Sequence, residues 1–293
     1  MLTNKHSIHN ESGAAAILMV LIIFLMFTMA IAALDLITEK ESSSNIRHKE
    51  WLFLNKEQKV LSVWYTANAA LIDSSNSQIN TEYTTNQAFL NAIGIPDKYN
   101  IKVYVTNTQS YNLISNGNSI TIDYHNFYLV IPSATYGSGT FSGNIFTPVT
   151  NQLFTEINGL NIENDLYKRS FNQLNNLNSN FVNYYYVKLQ NDPLHDVSLD
   201  YWASRGCNGM LTANSTAFGC TNGNFVNLDN ILTSRYIQLG DPNNNNAILN
   251  PWGIPVQINN SGNIEQQGPP FSMFLSSSTP WGTKLYLAVT EPA

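Results

Sequence analysis

Residues 13–34 read Gly13-Ala-Ala-Ala-Ile-Leu-Met-Val-Leu-Ile-Ile-Phe-Leu-Met-Phe-Thr-Met-Ala-Ile-Ala-Ala-Leu34, an apolar run with no charge. As a helix rising about 1.5 Å per residue it would span roughly 33 Å, close to the hydrocarbon core of about 30 Å. A cleaved secretory signal carries an apolar region of only about 7–15 residues. The stretch therefore predicts a transmembrane helix at 14–34. Lys5 lies upstream, opposed by Glu11, while Lys40, Arg47 and Lys49 downstream mix with Asp35, Glu39, Glu41 and Glu50. The basic residues alone do not place the N-terminus inside. The short leader and the long C-terminal portion do, since long domains translocate largely regardless of charge. The location expected from this is a single membrane pass with the N-terminus inside and the C-terminal portion outside.

The stretch that follows continues as helix. From Asp35 to Ile72 there is no Pro and no Gly. Ile46, Phe53, Val60 and Ala67 recur at steps of seven, flanked by Leu54, Leu61, Trp64 and Leu71. That is an amphipathic stripe, with Lys49, Glu50, Lys56, Glu57 and Lys59 on the other side. A stalk helix is expected over 35–72. It is too short for a sustained coiled-coil repeat.

Beyond it the pattern changes. Asp73-Ser-Ser-Asn-Ser-Gln78 is a breaker run. A short helix is expected at 85–93, ended by Gly94-Ile-Pro96. Strands are expected at 101–105, 119–123 and 126–131, the first two alternating apolar with polar residues. Near Glu163 a second unit begins. Leu166, Leu174, Leu177, Phe181 and Tyr185 sit at helical spacing, and residues 195–204 read as a further short helix. Two Pro-Trp-Gly turns, at 251–253 and 280–282, each lead into an alternating strand, over 254–258 and 283–289. The expected fold class is α+β: a long N-terminal helix, half in the membrane and half amphipathic, packed on a β-rich head. Its boundaries are 1–13 leader, 14–34 membrane helix, 35–72 stalk, 73–160 β-rich domain and 161–293 second α+β domain.

Composition narrows the function classes. The net charge is −6 and charged residues are 12% of the chain, which leaves no basic stripe for nucleic acid. Polarity comes from amides and hydroxyls instead, and the 41 Asn carry no functional weight. Cys207 and Cys220 flank a Gly/Asn/Ser/Thr loop. An even pair in an exported domain reads as a disulfide, the other reading being two free thiols. Without a CxxC or nearby His they do not make a zinc site.

Several chemistries find no support. His125 and His195 have no HExxH or HxH partner. No GxSxG elbow or phosphate-binding glycine loop exists. Asp196 and Asp200 share a helix face at i, i+4, as carboxylates at a helix N-terminus often do. Asp241 with the Asn243–Asn246 run offers calcium-type oxygens but lacks the dense carboxylates of a calcium loop. No enzyme, cofactor or metal site is expected.

A leader ending in Gly13, an apolar run, an amphipathic helix and a β-rich head together resemble the type IV pilin and type II secretion pseudopilin family. The Asn250-Pro-Trp-Gly-Ile-Pro-Val-Gln257 stretch looks like the Asp-Pro-Trp-Gly-x-Pro turn of many such heads. The order of helix, Cys-Cys, Leu-Gly-Asp-Pro and Asn-Pro-Trp-Gly across 163–258 looks like a second pilin-type head. The resemblance covers residues 8–72 and, loosely, 195–260. It implies a prepilin peptidase cut after Gly13, so that the mature chain begins at Ala14. The family usually places Glu at the fifth mature position, which is Leu18 here, and Glu11-Ser12 precede the cut where basic residues usually crowd. Tip-type members also lack that Glu. The function implied is a minor or tip subunit of a type IV pilus or type II secretion filament, moving from inner membrane to filament or cell surface. Its partners would be the prepilin peptidase, other subunits and the inner membrane, with no nucleic acid. The competing reading is a permanently membrane-anchored exported binding or accessory protein whose leader is never cut.

Overall fold

The computed structural model describes residues 11–74, 87–96, 98–115, 118–133, 137, 139–142, 144–199, 201, 225–228, 248–259 and 270–292; within the first segment the side chains of 11–24 and 35–43 are not described. The chain divides into two compact units, Met1–Asn55 and Lys56–Ala293.

Helix α1 is assigned over Glu11–Ile72. In the first unit its described side chains are mostly open to solvent, including Leu25, Met26, Phe27, Met29, Ile31 and Leu34. His48 and Trp51, one turn apart, stack with ring centroids 6.2 Å apart.

Two sequence-based expectations are corrected here. One is the fold class built on a long N-terminal helix with a membrane half packed on a pilin-like head. The other is the single-pass inner-membrane location. Among the described residues no helix is long and apolar enough to cross a membrane. The apolar run is bounded by charge on its C-terminal side. Asp35, Glu39, Lys40 and Glu41 follow directly. The observed architecture is a mixed α+β body with three helices among the described residues.

The second unit contains the end of α1. Leu61, Tyr65, Ala69 and Ile72 are buried at steps of four, four and three, one face of a 3.6-residue helix. Asp73 N–H closes the last turn on Ala69 O. A one-turn helix α2 (Gln87–Ala92) follows, stopped by Gly94 at φ 82°. Trp64 meets Phe89 of α2 edge-on at 5.2 Å.

Four strands then form one long bent hairpin. They are β1 (Lys102–Val105), β2 (Gln109–Ser115), β3 (Asn118–Tyr124) and β4 (Phe127–Ile131). β1 pairs antiparallel with β4 up to Val105↔Phe127, and β2 pairs with β3 from Gln109↔Tyr124. Between these two ladders three residues, Thr106–Thr108, face only two, His125 and Asn126. An unequal count of this kind bends a strand pair and aims side chains off the regular pleat. Short strands β5 (Thr140–Ser142) and β6 (Ile145–Thr147) pair with each other. β7 (Leu153–Ile157) completes the antiparallel sheet β1-β4-β7. β4 is the central strand, and all five of its residues are buried, as its unbroken apolar run Phe-Tyr-Leu-Val-Ile requires. Tyr128, Val130 and Phe146 form one apolar cluster, with Tyr104 and Phe141 against it.

Helix α3 (Gly159–Asn191) starts at the Asn158 cap, whose side chain accepts from Asn161 N–H. Its buried stripe Leu166, Ser170, Leu174, Leu177, Phe181 and Tyr185 keeps helical period. Leu166, Leu174, Leu177, Phe181 and Tyr185 are the positions expected from sequence. Of the helix expected over 195–204, residues 195–199 form turns instead, with His195 at φ 46°, while 200 and 202–204 lie outside the described residues. α3 touches β3 and the last sheet, whose order is β11-β10-β9-β8. That sheet comprises β8 (Val226–Asn227), β9 (Gln257–Asn259), β10 (Ser272–Ser278) and β11 (Lys284–Thr290), all antiparallel. Gly253 and Gly282 adopt φ of 77° and 89° in the two Pro-Trp-Gly turns, a conformation that favours glycine.

Candidate functional site

The unequal count at the hairpin bend sets His125 into the interior. Thr106 fixes the bend from one side: its N–H donates to Asn126 O at 2.9 Å, and its Oγ1 accepts from Asn126 N–H at 2.8 Å. Asn126 Oδ1 in turn accepts from Gly159 N–H at 3.0 Å, which ties the bend to the start of α3. Gly159 is required there by space. A Cβ would collide with His125 carbonyl and lie 2.5 Å from the Tyr65 hydroxyl.

His125 reaches three partners. Its Nδ1 lies 2.6 Å from Asp73 Oδ1, its Nε2 lies 3.2 Å from Thr108 Oγ1, and its N–H donates to Tyr65 Oη at 3.1 Å. Tyr65 Oη–H donates to the second Asp73 oxygen at 2.7 Å. Both Asp73 oxygens therefore face donors, and Asp73 and His125 are almost wholly out of solvent while Thr108 is exposed. One turn into α3, buried Glu163 accepts from Trp252 Nε1–H at 2.7 Å through Oε2.

Burial sets the charge states. Desolvation lowers His125 to about 4, so the ring is neutral at ordinary pH. Neutral imidazole has one donor, and the short contact to Asp73 places that proton on Nδ1. Nε2 then accepts from the Thr108 hydroxyl. The 2.6 Å contact is thus a hydrogen bond from a neutral ring to a carboxylate. Desolvation raises both Asp73 and Glu163, and the side-chain hydrogen bond between the two acids raises Glu163 further while holding Asp73 down. Above about pH 7 the pair keeps one proton, on Glu163, and Asp73 is the carboxylate that accepts from Tyr65, His125 and Glu163. Tyr65 is raised well above its ordinary value by burial and by Asp73.

Among the described residues no group of three His, Cys, Asp or Glu is arranged to hold a metal ion. A groove of about 640 Å³ lies elsewhere in the second unit, lined by Gln58, Ser62, Val63, Glu156, Asn158 and Ile162. It shares no residue with the cluster.

The residues singled out from sequence fall as follows. Gly13, Ala14 and Leu18 lie on the first turns of α1, where side chains are outside the described residues. Cys207, Cys220, Asp200, Asp241 and Asn243–Asn246 lie outside the described residues altogether. Asp196 accepts from Ser198 N–H and Oγ–H at 2.9 and 2.6 Å, a turn-forming role. His195 Nδ1 lies 3.0 Å from Leu189 O just past α3.

Asn250 organises the first Pro-Trp-Gly turn. Its Oδ1 accepts from Trp252 and Ile254 N–H, and its Nδ2 donates to Ser277 Oγ and Ser278 O. The turn thereby delivers Trp252 to Glu163. Sequence reading passed over the cluster itself. Asp73 and His125 are 52 residues apart, and Glu163 and Trp252 are 89 apart, so no local spacing could join them. The one usable signal is Tyr65, which shares a buried helix face with Leu61, Ala69 and Ile72, since a buried Tyr hydroxyl needs a partner. Compared with family models, with curated proteins and with solved structures, the chain matches none.

Proposed function

We propose that the chain is a non-enzymatic assembly subunit of the pilin and pseudopilin kind, a minor or tip component of a type IV pilus or type II secretion filament. The observation that carries this reading is the exposed run on α1. Residues 25–34 are all exposed, with Leu25, Met26, Phe27, Met29, Ile31 and Leu34 each about half exposed or more. Contiguous large apolar side chains left open by a single chain mark a surface that another molecule covers. Ala30, Ala32 and Ala33 beside them allow a second helix to approach closely. The Asn250-Pro-Trp-Gly turn, which resembles the family's turn, supports the same reading. Cleavage after Gly13 by a prepilin peptidase would release the subunit for assembly, and Leu18 in place of Glu suits a tip position.

The experiment is a Phe27→Asp, Met29→Asp double variant of the full-length chain, followed into sheared filaments by immunoblot. Both positions are exposed, so the second unit keeps its circular dichroism. Filament-associated protein is expected to fall at least tenfold. Unchanged incorporation would refute the reading.

A further inference from the structure

We propose that Thr108 is an activated acyl-acceptor hydroxyl, with His125 as its general base and Asp73 as the group that orients the base. The proposal goes beyond an assembly role and does not depend on it.

The geometry has the three links that nucleophile activation needs. An exposed hydroxyl meets a ring nitrogen at 3.2 Å, and the opposite ring nitrogen meets a buried carboxylate at 2.6 Å. The carboxylate is itself held by Tyr65 Oη–H at 2.7 Å. The backbone fixes each part. The hairpin bend turns His125 inward, its N–H is pinned to Tyr65, and Asn107 N–H beside Thr108 is pinned to Asn144 Oδ1 at 2.9 Å. Burial is graded along the line: Asp73 and His125 are covered, and Thr108 is open to a donor from solvent. A fold needing only stability gains more from apolar side chains than from buried ionisable groups, whose desolvation is costly.

The ligand class is an ester or other acyl donor with a good leaving group. In the step, Thr108 Oγ1 forms a bond to the carbonyl carbon while His125 Nε2 takes the hydroxyl proton. The bond from that carbon to the leaving oxygen breaks with its electron pair, and Nε2 returns the proton to the leaving alkoxide. The products are an ester on Thr108 and a free alcohol, with no change of oxidation state. Above about pH 7, where it is ionised, Asp73 balances the imidazolium that exists between the two proton transfers.

The test uses the full chain with p-nitrophenyl acetate as the probe, read by intact mass and peptide mapping. One acetyl group is expected on Thr108. Thr108→Val, at an exposed position, should keep the fold and lose the label. Thr108→Ser should retain it. Asp73→Asn, where it folds, should slow labelling at least tenfold. If Thr108 gains no acetyl group, or Thr108→Val is labelled as fast as wild type, the proposal is overturned. The valine and serine variants decide it even if the Asp73 variant fails to fold.

Discussion

Tyr65 and Asp73, two turns apart at the end of α1, are joined by a 2.7 Å hydrogen bond that is shut off from solvent. Tyr65 also accepts from His125 N–H, so one hydroxyl serves both the helix end and the hairpin bend. Tyr65→Phe removes the oxygen and leaves a buried backbone donor and a buried carboxylate oxygen each short of a partner. Stranding buried polar groups costs about 1–3 kcal/mol apiece. Urea unfolding of this variant is expected to show a loss of roughly 2–4 kcal/mol with an unchanged m-value.

Glu163 gives the molecule a distinctive pH dependence. Its folded pKa is raised, so the folded state holds a proton that the unfolded chain gives up above about 4.5. Stability from this group is complete at low pH and is lost as pH rises toward its folded value. Asp73, raised to about 7, acts in the same sense at lower pH, whereas His125, lowered to about 4, favours folding as pH climbs from 4 to 6.5. Above pH 7 Glu163 therefore dominates. Wild type should lose about 1 kcal/mol per pH unit there. Glu163→Gln keeps the acceptor for Trp252 without a proton to lose. Its melting temperature is expected to exceed that of wild type at pH 8.5, with the difference shrinking toward pH 5.

Gly159→Ala tests the closeness of α3 to the bend. The added Cβ would meet His125 carbonyl, a backbone atom that cannot swing away. A destabilisation of about 3 kcal/mol or more is expected, since overpacking against backbone forces the elements apart. Thermal unfolding by circular dichroism measures it.

Asn250→Asp makes the turn match the residue found in the resembling family, yet it should destabilise. The carboxylate preserves the acceptors for Trp252 and Ile254 N–H. It removes the donor to Ser277 Oγ and sets a negative oxygen 2.7 Å from Ser278 carbonyl. A loss of roughly 2 kcal/mol is expected by urea unfolding. Equal stability would mean that the amide donors contribute nothing.

Local patterns carried much of the fold. The alternation at 101–105 and 119–123 and the apolar run at 126–131 marked β1, β3 and β4 because each pattern reports burial directly. The helical spacing from Leu166 to Tyr185 marked α3 for the same reason. β2 escaped because Gln-Ser-Tyr-Asn-Leu-Ile-Ser has little apolar alternation, and it is held by pairing with β3 rather than by burial. β10 escaped because three serines end it, and Ser276 and Ser277 are buried polar residues that no hydropathy pattern assigns to a core. The uncharged run at 13–34 reads as a membrane span by itself, whereas among the described residues no helix is long and apolar enough to cross a membrane. The cluster was illegible because it is assembled from a helix end, a hairpin bend, a helix start and a turn. His125 has no chemical partner near it in sequence, and Asp73, which it meets in the fold, opens a breaker run 52 residues earlier.

The central claim is that the chain is trimmed and built into a filament, and intact mass reads this most directly. The full-length protein is to be recovered from cells with and without a prepilin peptidase. The account predicts loss of residues 1–13 only when the peptidase is present, leaving Ala14 at the N-terminus, and no loss when Gly13 is replaced by a bulky residue. A chain that stays full-length in cells that trim their other filament subunits would contradict it.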